Sequence, residues 1–436
     1  MLNERRKTIV VSASVIGNFI ITYDLIVYQF LLFEISEHCF GVNYNIYNIS
    51  VWVQIIYLLG FLSRPVTALI LGAIADIRGR AFILQISVFI SSIGAVGMSM
   101  MPSYEQIGVL SGVLLLICRI LISAGGAGHS TALAFLVEHT SVFNRGKTIS
   151  YAVTTDIAAL LIATAIVISY RVVVPSPDLN NYWKLIFLFT IPFMLLAKKC
   201  VFEPLEFILE NNYDVKRPLS SFLINLALSE LPKNKNLFIP SIFCILLGNF
   251  SFAMAFEYIP RMLAKEFGVD VLQQDVIMMI IFACIIPLTL YLGAKSDKTG
   301  RIVAIRKYVL LMTFLWVPFF YFLADYFILA SILGGVIMFS ACGYFVCGSV
   351  LLIESISSSR ARCTIHVLIC IVPSSVFLGF LPMILEKLPN IHNGHLILSI
   401  FLTIASLLVF FTVKRIPEPL DKCKDIAEYS LDNLQI

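Results

Sequence analysis

Apolar stretches of membrane-spanning length recur about twelve times along this chain, at about 8–33, 49–74, 82–101, 106–137, 148–172, 184–201, 237–260, 274–294, 303–323, 327–352, 363–385 and 394–413, each bounded by charged or turn-forming residues. About 20 apolar residues in a helix cross the roughly 30 Å hydrocarbon core of a bilayer, whereas barrel strands alternate within segments of about ten. These runs are continuous and longer, so helices are expected. The chain has 436 residues, 59% of them hydrophobic and 13% charged, against about 25% charged in soluble domains, and this excludes an ordinary water-soluble fold. With 23 Gly and 17 Pro it is neither disordered nor collagen-like.

The net charge of +4 comes from 31 Lys and Arg that form no patch, so nucleic acid is not an expected partner. With the N-terminus placed in the cytoplasm, 24 of these residues fall on the cytoplasmic side, five on the other, and Arg64 and Arg119 within spans. That bias orients the chain with both termini cytoplasmic. The run that follows Asn3-Glu4-Arg5-Arg6-Lys7 stays apolar to about Phe33, too long for a signal peptide, and is expected as a retained first span. The ten Cys show no CxxC or metal spacing; most lie in apolar runs, where Cys usually packs.

One internal repeat stands out. Gly72-x-x-x-Asp76-x-x-Gly79-Arg80 recurs as Gly293-x-x-x-Asp297-x-x-Gly300-Arg301, every residue displaced by 221 positions. Glu203-Pro204 is echoed by Glu418-Pro419, 215 residues on. The expected fold class is therefore an all-α integral membrane protein of about twelve transmembrane helices, in two six-helix bundles related by an internal repeat. The expected divisions are an N-terminal bundle over 1–202, a polar cytoplasmic linker over 203–236, a C-terminal bundle over 237–414 and a cytoplasmic tail over 415–436. Parallel halves joined this way are the layout of a transporter that rocks about a midplane site.

The repeated motif has a physical reading as a conformational gate. Gly72 lets two helices approach closely, Asp76 can cap or face the positive end of a neighbouring helix, and Arg78 and Arg80 offer partners for charged groups on it; with Gly79 and the second copy, Gly293, Asp297, Gly300 and Arg301, they make up the candidate gate. Glu138 with Arg145, and Glu354 with Arg360 or Arg362, flank equivalent loops and are expected as gate pairs. A single copy reads equally well as a tight loop with positive-inside charges; two copies at matching positions favour function.

With these motifs the chain resembles the major facilitator superfamily, whose loops between helices 2 and 3 and between helices 8 and 9 carry them. Within it the N-terminal half is similar to the metabolite:proton symporters, the group of the proline/betaine, α-ketoglutarate, citrate and shikimate permeases. The matching residues are Gly17-Asn18-x4-Tyr23-Asp24, Arg64-Pro65, Pro102-Ser103-Tyr104-x2-Ile107-Gly108 and Arg145-Gly146. The chain departs from that group at Ile21, where Glu is usual, and after Arg119, where Ser123-Ala124-Gly125-Gly126-Ala127-Gly128-His129 puts Gly128 or His129 at the usual acidic position. The resemblance implies a multi-pass protein of the bacterial inner membrane, working as a monomer, with lipid, a small organic solute and a proton as partners. It implies no cofactor, the proton gradient being the energy source.

Ionisable groups inside spans cost roughly 2.5–3.5 kcal/mol each on insertion scales, and so default to functional candidates. Here they are Asp24, Arg64, Arg119, Asp156 and Glu257, with Glu138, Glu354 and His366 nearer the cytoplasmic edge. The candidate substrate- or proton-binding set is Asp24, Asn18, Tyr23, Arg64, Arg119, His129 and Asp156. Asp24 shares a helical face with Gly17 and Tyr28 and suits a proton or a cationic group. Arg64 and Arg119 suit a substrate carboxylate, or an ion pair with Asp156. His129 suits a proton, or a backbone carbonyl. Glu257 is expected to pair with Arg261, and Trp183 beside Lys184 to anchor at the interface; Trp52 and Trp316 suit packing as well as a quaternary ammonium.

No Walker A sequence and no constellation of nucleophile, base and metal ligands is present, so neither ATP hydrolysis nor an enzyme is expected. Helix 5 lacks the Gly-Pro pair of drug/proton antiporters, which favours symport. The functional expectation is a secondary active transporter importing a small organic solute with a proton by alternating access, the solute a zwitterionic osmolyte such as proline or betaine, or a carboxylate metabolite. The alternatives are an uncoupled facilitator or exporter of the same fold and, from another class, a solute sensor that transports nothing.

Overall fold

The structure is a computed structural model that describes residues 18–20, 22–24, 26–28, 30–41, 46–126, 128–174, 182–192, 218–254, 268, 271–322, 327–356, 359–387 and 394–418. Gly17, Ile21, Ala127, Glu203, the Glu257–Arg261 pair and the tail beyond Glu418 lie outside these residues. All regular structure among the described residues is helical. In chain order the helices are α1 (Asn18–Tyr28, taken up again at Leu32–Phe40), α2 (Ile46–Arg78), α3 (Arg80–Ser99), α4 (Leu110–Glu138), α5 (Val142–Val173) and α6 (Trp183–Pro192). In the second half they are α7 (Leu231–Ala253), α8 (Val271–Thr299), α9 (Arg301–Phe322), α10 (Phe327–Ser355), α11 (Arg362–Leu381, continuing to Lys387) and α12 (Gly394–Thr412). Among the described residues nine are long and apolar enough to cross a membrane.

The two motifs turn α2 into α3 and α8 into α9 with a one-residue break. Gly79 and Gly300 make that break at φ 112 and 88, a region where any Cβ is strained, which explains glycine at both positions. We call the end of the bundle that carries these turns the motif end and the opposite end the far end.

Two helix pairs form most of the seam between the halves, α2 with α11 and α5 with α8. Both pairs touch through glycine. A Cβ on Gly72 would lie 3.3 Å from Val367 Cγ2 and 3.6 Å from the Thr364 Cα; one on Gly146 would come within 2.6 Å of the Gly293 carbonyl oxygen. Helices without side chains at the contact approach to backbone distance, as the sequence led one to expect of Gly72 and Gly293. Along α5 and α8, the Thr154 and Thr289 hydroxyls also meet at 2.8 Å.

Apolar on all sides, α10 and α12 nevertheless differ in surroundings: 83% of the α10 span is buried inside the protein, but only 33% of α12. On α12, Leu396, Ile397, Ile400, Phe401, Ile404, Leu408 and Phe411 form an exposed apolar stripe that would be untenable in water and suits lipid. Trp316 is core, its Nε1 donating to Ser406 Oγ at 3.3 Å. Trp183 corrects its sequence reading. It is fully buried, edge-on to His38 and Phe187, because α6 packs that ring inward and leaves no face for an interface. The polar segment expected as a linker is helical where described, from Leu219 through a π-helical turn at Leu226–Glu230 into α7.

Candidate functional site

At mid-span on α4, Arg119 is fully buried. Its guanidinium lies over the ring of Tyr28 at 4.2 Å, with Tyr57 at 5.2 Å and Phe61 at 5.8 Å. Gly60 makes room for it: a Cβ there would be 2.7 Å from Arg119 Cγ, and 3.3 Å from both Arg119 Nε and Ser123 Oγ. None of the three guanidinium nitrogens has a hydrogen-bond partner among the described residues, nor have Ser123 Oγ, the Tyr28 hydroxyl and Asp24 Oδ1. Asp24, also fully buried, receives a 3.3 Å hydrogen bond from Ser91 Oγ on its other oxygen. Rings can return about 2 kcal/mol to a desolvated cation, less than the several kcal/mol that burying it costs. The arrangement leaves a cation and several polar atoms unmet around one place.

Tyr23 is placed elsewhere. Its hydroxyl donates to the Ile186 carbonyl at 3.1 Å and its ring packs on Phe19 and Phe189, tying α1 to α6.

Nearer the motif end, four of the remaining candidates come together. Asn18 Nδ2 donates to Asp156 Oδ1 at 2.7 Å, Thr22 Oγ1 donates to the same oxygen at 2.6 Å, and Asn18 Oδ1 lies 2.7 Å from His129 Nδ1. Arg64 Nη2 donates to the Gly126 carbonyl at 3.1 Å. Neither Arg64 nor Arg119 forms the ion pair with Asp156 that its depth suggested; Asn18 and Thr22 of α1 occupy the carboxylate instead.

At the motif end itself two clusters mirror each other. Asp76 caps the start of α11, accepting from Cys363 N at 3.2 Å, Thr364 N at 2.8 Å and Thr364 Oγ1 at 2.7 Å. Asp297 caps α5 in the same way, accepting from Gly146 N and Lys147 N, each at 2.8 Å. Arg80 pairs with Asp76 at 3.2 Å and with Glu138 at 3.1 Å; Arg301 pairs with Asp297 at 2.7 Å and with Glu354 at 3.3 Å. The expected gate pairs are corrected. Glu138 takes Arg362 at 2.8 Å rather than Arg145, and Arg145 reaches Glu354 at 3.7 Å. Each pair crosses between the halves, because the loop ends that look adjacent in sequence face the other bundle.

Sequence reasoning missed three features. Tyr57, Gly60 and Phe61 stand at helical spacing on α2 just before Arg64, a signal that was legible but unread. Glu418 accepts from Arg301 N at 3.1 Å and Ile302 N at 2.8 Å, capping α9, a role that its spacing from Glu203 does not show. At the far end Arg171 joins Glu34 at 3.3 Å to Asp275 of the other half at 3.1 Å, a contact with no signal in spacing.

The sequence profile of the Major Facilitator Superfamily matches residues 14–364. The chain belongs to the major facilitator superfamily. In this superfamily's fold twelve helices form two six-helix halves, the arrangement found here among the described residues. The citrate-proton symporter of Klebsiella pneumoniae is 23% identical over 309 residues, covering 69% of this chain and 66% of that one. The proline/betaine transporter of Escherichia coli K12 is 26% identical over 43% of this chain and 38% of its own, and the alpha-ketoglutarate permease of the same strain 27% identical over 68% and 67%. The match thus spans less than two thirds of the first two relatives. The proton:xylose symporter XylE superposes with a TM-score of 0.75 at 16% identity, over 95% of this chain and 97% of that one. The human organic anion transporter MFSD10 superposes at 0.69 with 13% identity, over 95% and 100%. Both share the fold.

Proposed function

We propose that this major facilitator protein is a secondary active transporter of the bacterial inner membrane that imports a small organic solute bearing a carboxylate, together with a proton. The observation that carries the reading is Arg119, a buried guanidinium with rings around it and no hydrogen-bond partner among the described residues. A guanidinium in a dry site is a receptor for a planar carboxylate, and the Ser123 and Tyr28 hydroxyls beside it supply further hydrogen bonds. The relatives named for citrate, alpha-ketoglutarate and proline/betaine support a carboxylate solute.

Coupling follows from charge balance. Arg119 and ionised Asp24 share one low-dielectric site and feel each other's charge. A solute carboxylate seated on Arg119 would leave Asp24 as an uncompensated anion, which protonation of Asp24 removes. Solute and proton then bind as a pair, and neither travels alone at low cost. The excess of Lys and Arg at the motif end supports placing that end, and both termini, in the cytoplasm. The two Asp–Arg–Glu clusters there hold the halves together on the cytoplasmic side; they come apart when the halves rock and the solute leaves inward.

The test is proton entry into vesicles containing the purified protein as citrate, α-ketoglutarate, proline and betaine are added in turn. One solute should drive proton entry in the wild type, and Asp24→Asn and Arg119→Gln should abolish it. A labelled solute that equilibrates without moving protons would make the protein a facilitator and overturn the coupling.

A further inference from the structure

Symport through Arg119 and Asp24 leaves the polar group around Asp156 without a task. That group lies toward the motif end. α1 starts from that end and α4 runs toward it, so Asn18 is six residues nearer to it than Asp24 and His129 ten residues nearer than Arg119. At 1.5 Å per residue the offsets are about 9 and 15 Å.

Its hydrogen bonds are directional. Asn18 Nδ2 spends its two N–H groups on Asp156 Oδ1 at 2.7 Å and the Ala152 carbonyl at 3.3 Å, so Asn18 Oδ1 can only accept. Its partner 2.7 Å away, His129 Nδ1, must therefore carry a hydrogen, which leaves Nε2 as the basic atom of the neutral ring. On Asp156, the Asn18 and Thr22 donors both occupy Oδ1 and leave Oδ2 to take a proton. Around them, α2 contributes Arg64, whose charge acts on Asp156 and His129 without an ion pair to either. α11 contributes His366, bound to Ser130 Oγ at 2.9 Å and within electrostatic reach of His129. Opposite α5, α8 brings the uncharged Thr289 against Thr154.

We infer that Asp156 and His129, bridged by the Asn18 amide, form a second protonation site that receives the coupling proton from Asp24 and releases it toward the cytoplasm. This rests on the symport reading. The Asp24 O–H bond breaks and an O–H bond forms at Asp156 Oδ2, the proton being carried by water admitted as the halves part at the motif end; the Asp156 proton then leaves to cytoplasmic water. Arg64 offsets the negative charge of Asp156 while it is ionised, before the proton arrives and after it leaves.

Two measurements decide it. Asp156→Asn keeps the acceptor for Asn18 and Thr22, so the fold is expected to persist. In vesicles, with whichever of citrate, α-ketoglutarate, proline or betaine the wild type accumulates, accumulation of up to about fifty-fold per 100 mV should fall to about one. Counterflow of the same solute, which needs no net proton movement, should persist, and His129→Gln should slow accumulation in the same sense. Asp156→Asn accumulating like the wild type would put the group off the proton path. Loss of counterflow along with accumulation, as expected of Arg119→Gln, would make it part of the solute site. Either result overturns the inference. The second measurement is the infrared pH-difference spectrum of the purified protein without solute, where a carboxyl C=O band should vanish in Asp156→Asn. An unchanged spectrum overturns the inference, and because no solute is used it does so even if none of the four compounds moves and the symport reading fails.

Discussion

At the motif end, buried carboxylates have two or more partners each. Asp76 is met by two amides, a hydroxyl and Arg80, Glu138 by Arg80 and Arg362, and Glu354 by Arg301 and Arg145. Nineteen residues back along α4 from Glu138, Arg119 has no hydrogen-bond partner among the described residues, and Asp24 has one long hydrogen bond among them. Both regions bury charge, and burial is costly in each. The difference is that the first returns the cost within the chain and so holds one arrangement of the halves, while the second leaves it outstanding until something else binds. Stability should reside in one and transport in the other.

That division can be broken from either side. The largest effect is expected at Arg119: Arg119→Leu should lower uptake by more than about 100-fold while raising stability by about 1–4 kcal/mol, since a buried cation with no hydrogen-bond partner among the described residues is removed and Asp24, left without its opposite charge, takes a proton. Uptake in vesicles and thermal unfolding in detergent check both halves of the statement, and a fall in the unfolding midpoint would mean that Arg119 is a structural residue. Next comes Asp76→Ala, which strips partners from Arg80 and from two amides at the start of α11; a loss of about 3–5 kcal/mol in thermal unfolding is expected. Its repeat partner sharpens the comparison. Asp297 is less buried than Asp76 and lacks a hydroxyl donor, so Asp297→Ala should cost less, about 1–3 kcal/mol. Smallest is Glu418→Ala, the loss of a helix cap worth about 1 kcal/mol, with solute affinity unchanged in a binding titration. Equal losses at Asp76 and Asp297 would show that the pseudo-symmetric clusters carry equal load.

Much of this was open to reading from residues alone, for identifiable reasons. The Gly-x-x-x-Asp-x-x-Gly-Arg repeat led to close helix contacts and capping aspartates, because each of those roles is local and uses a residue type suited to it. Arg119 and Asp24 announced themselves by being charged within a span. Tyr23 did not keep its expected place, because which side of a helix meets α6 depends on how α1 is rotated in the bundle. Trp183 went inward for the same kind of reason: aromatic residues near a span end are interfacial only where no helix covers them.

Taken alone, the order of residues determined the helical membrane fold, the duplication and the candidate charges, since hydropathy, loop charge and repeat spacing act along the chain and need no partner. Only the tertiary structure decided who meets whom. Glu138 pairs with Arg362 and Arg145 with Glu354, Asn18 stands between Asp156 and His129, and Arg119 stays unmet among rings. Hydrogen bonds and ion pairs act over a few ångströms, and those distances exist only once two bundles from distant parts of the chain have packed together.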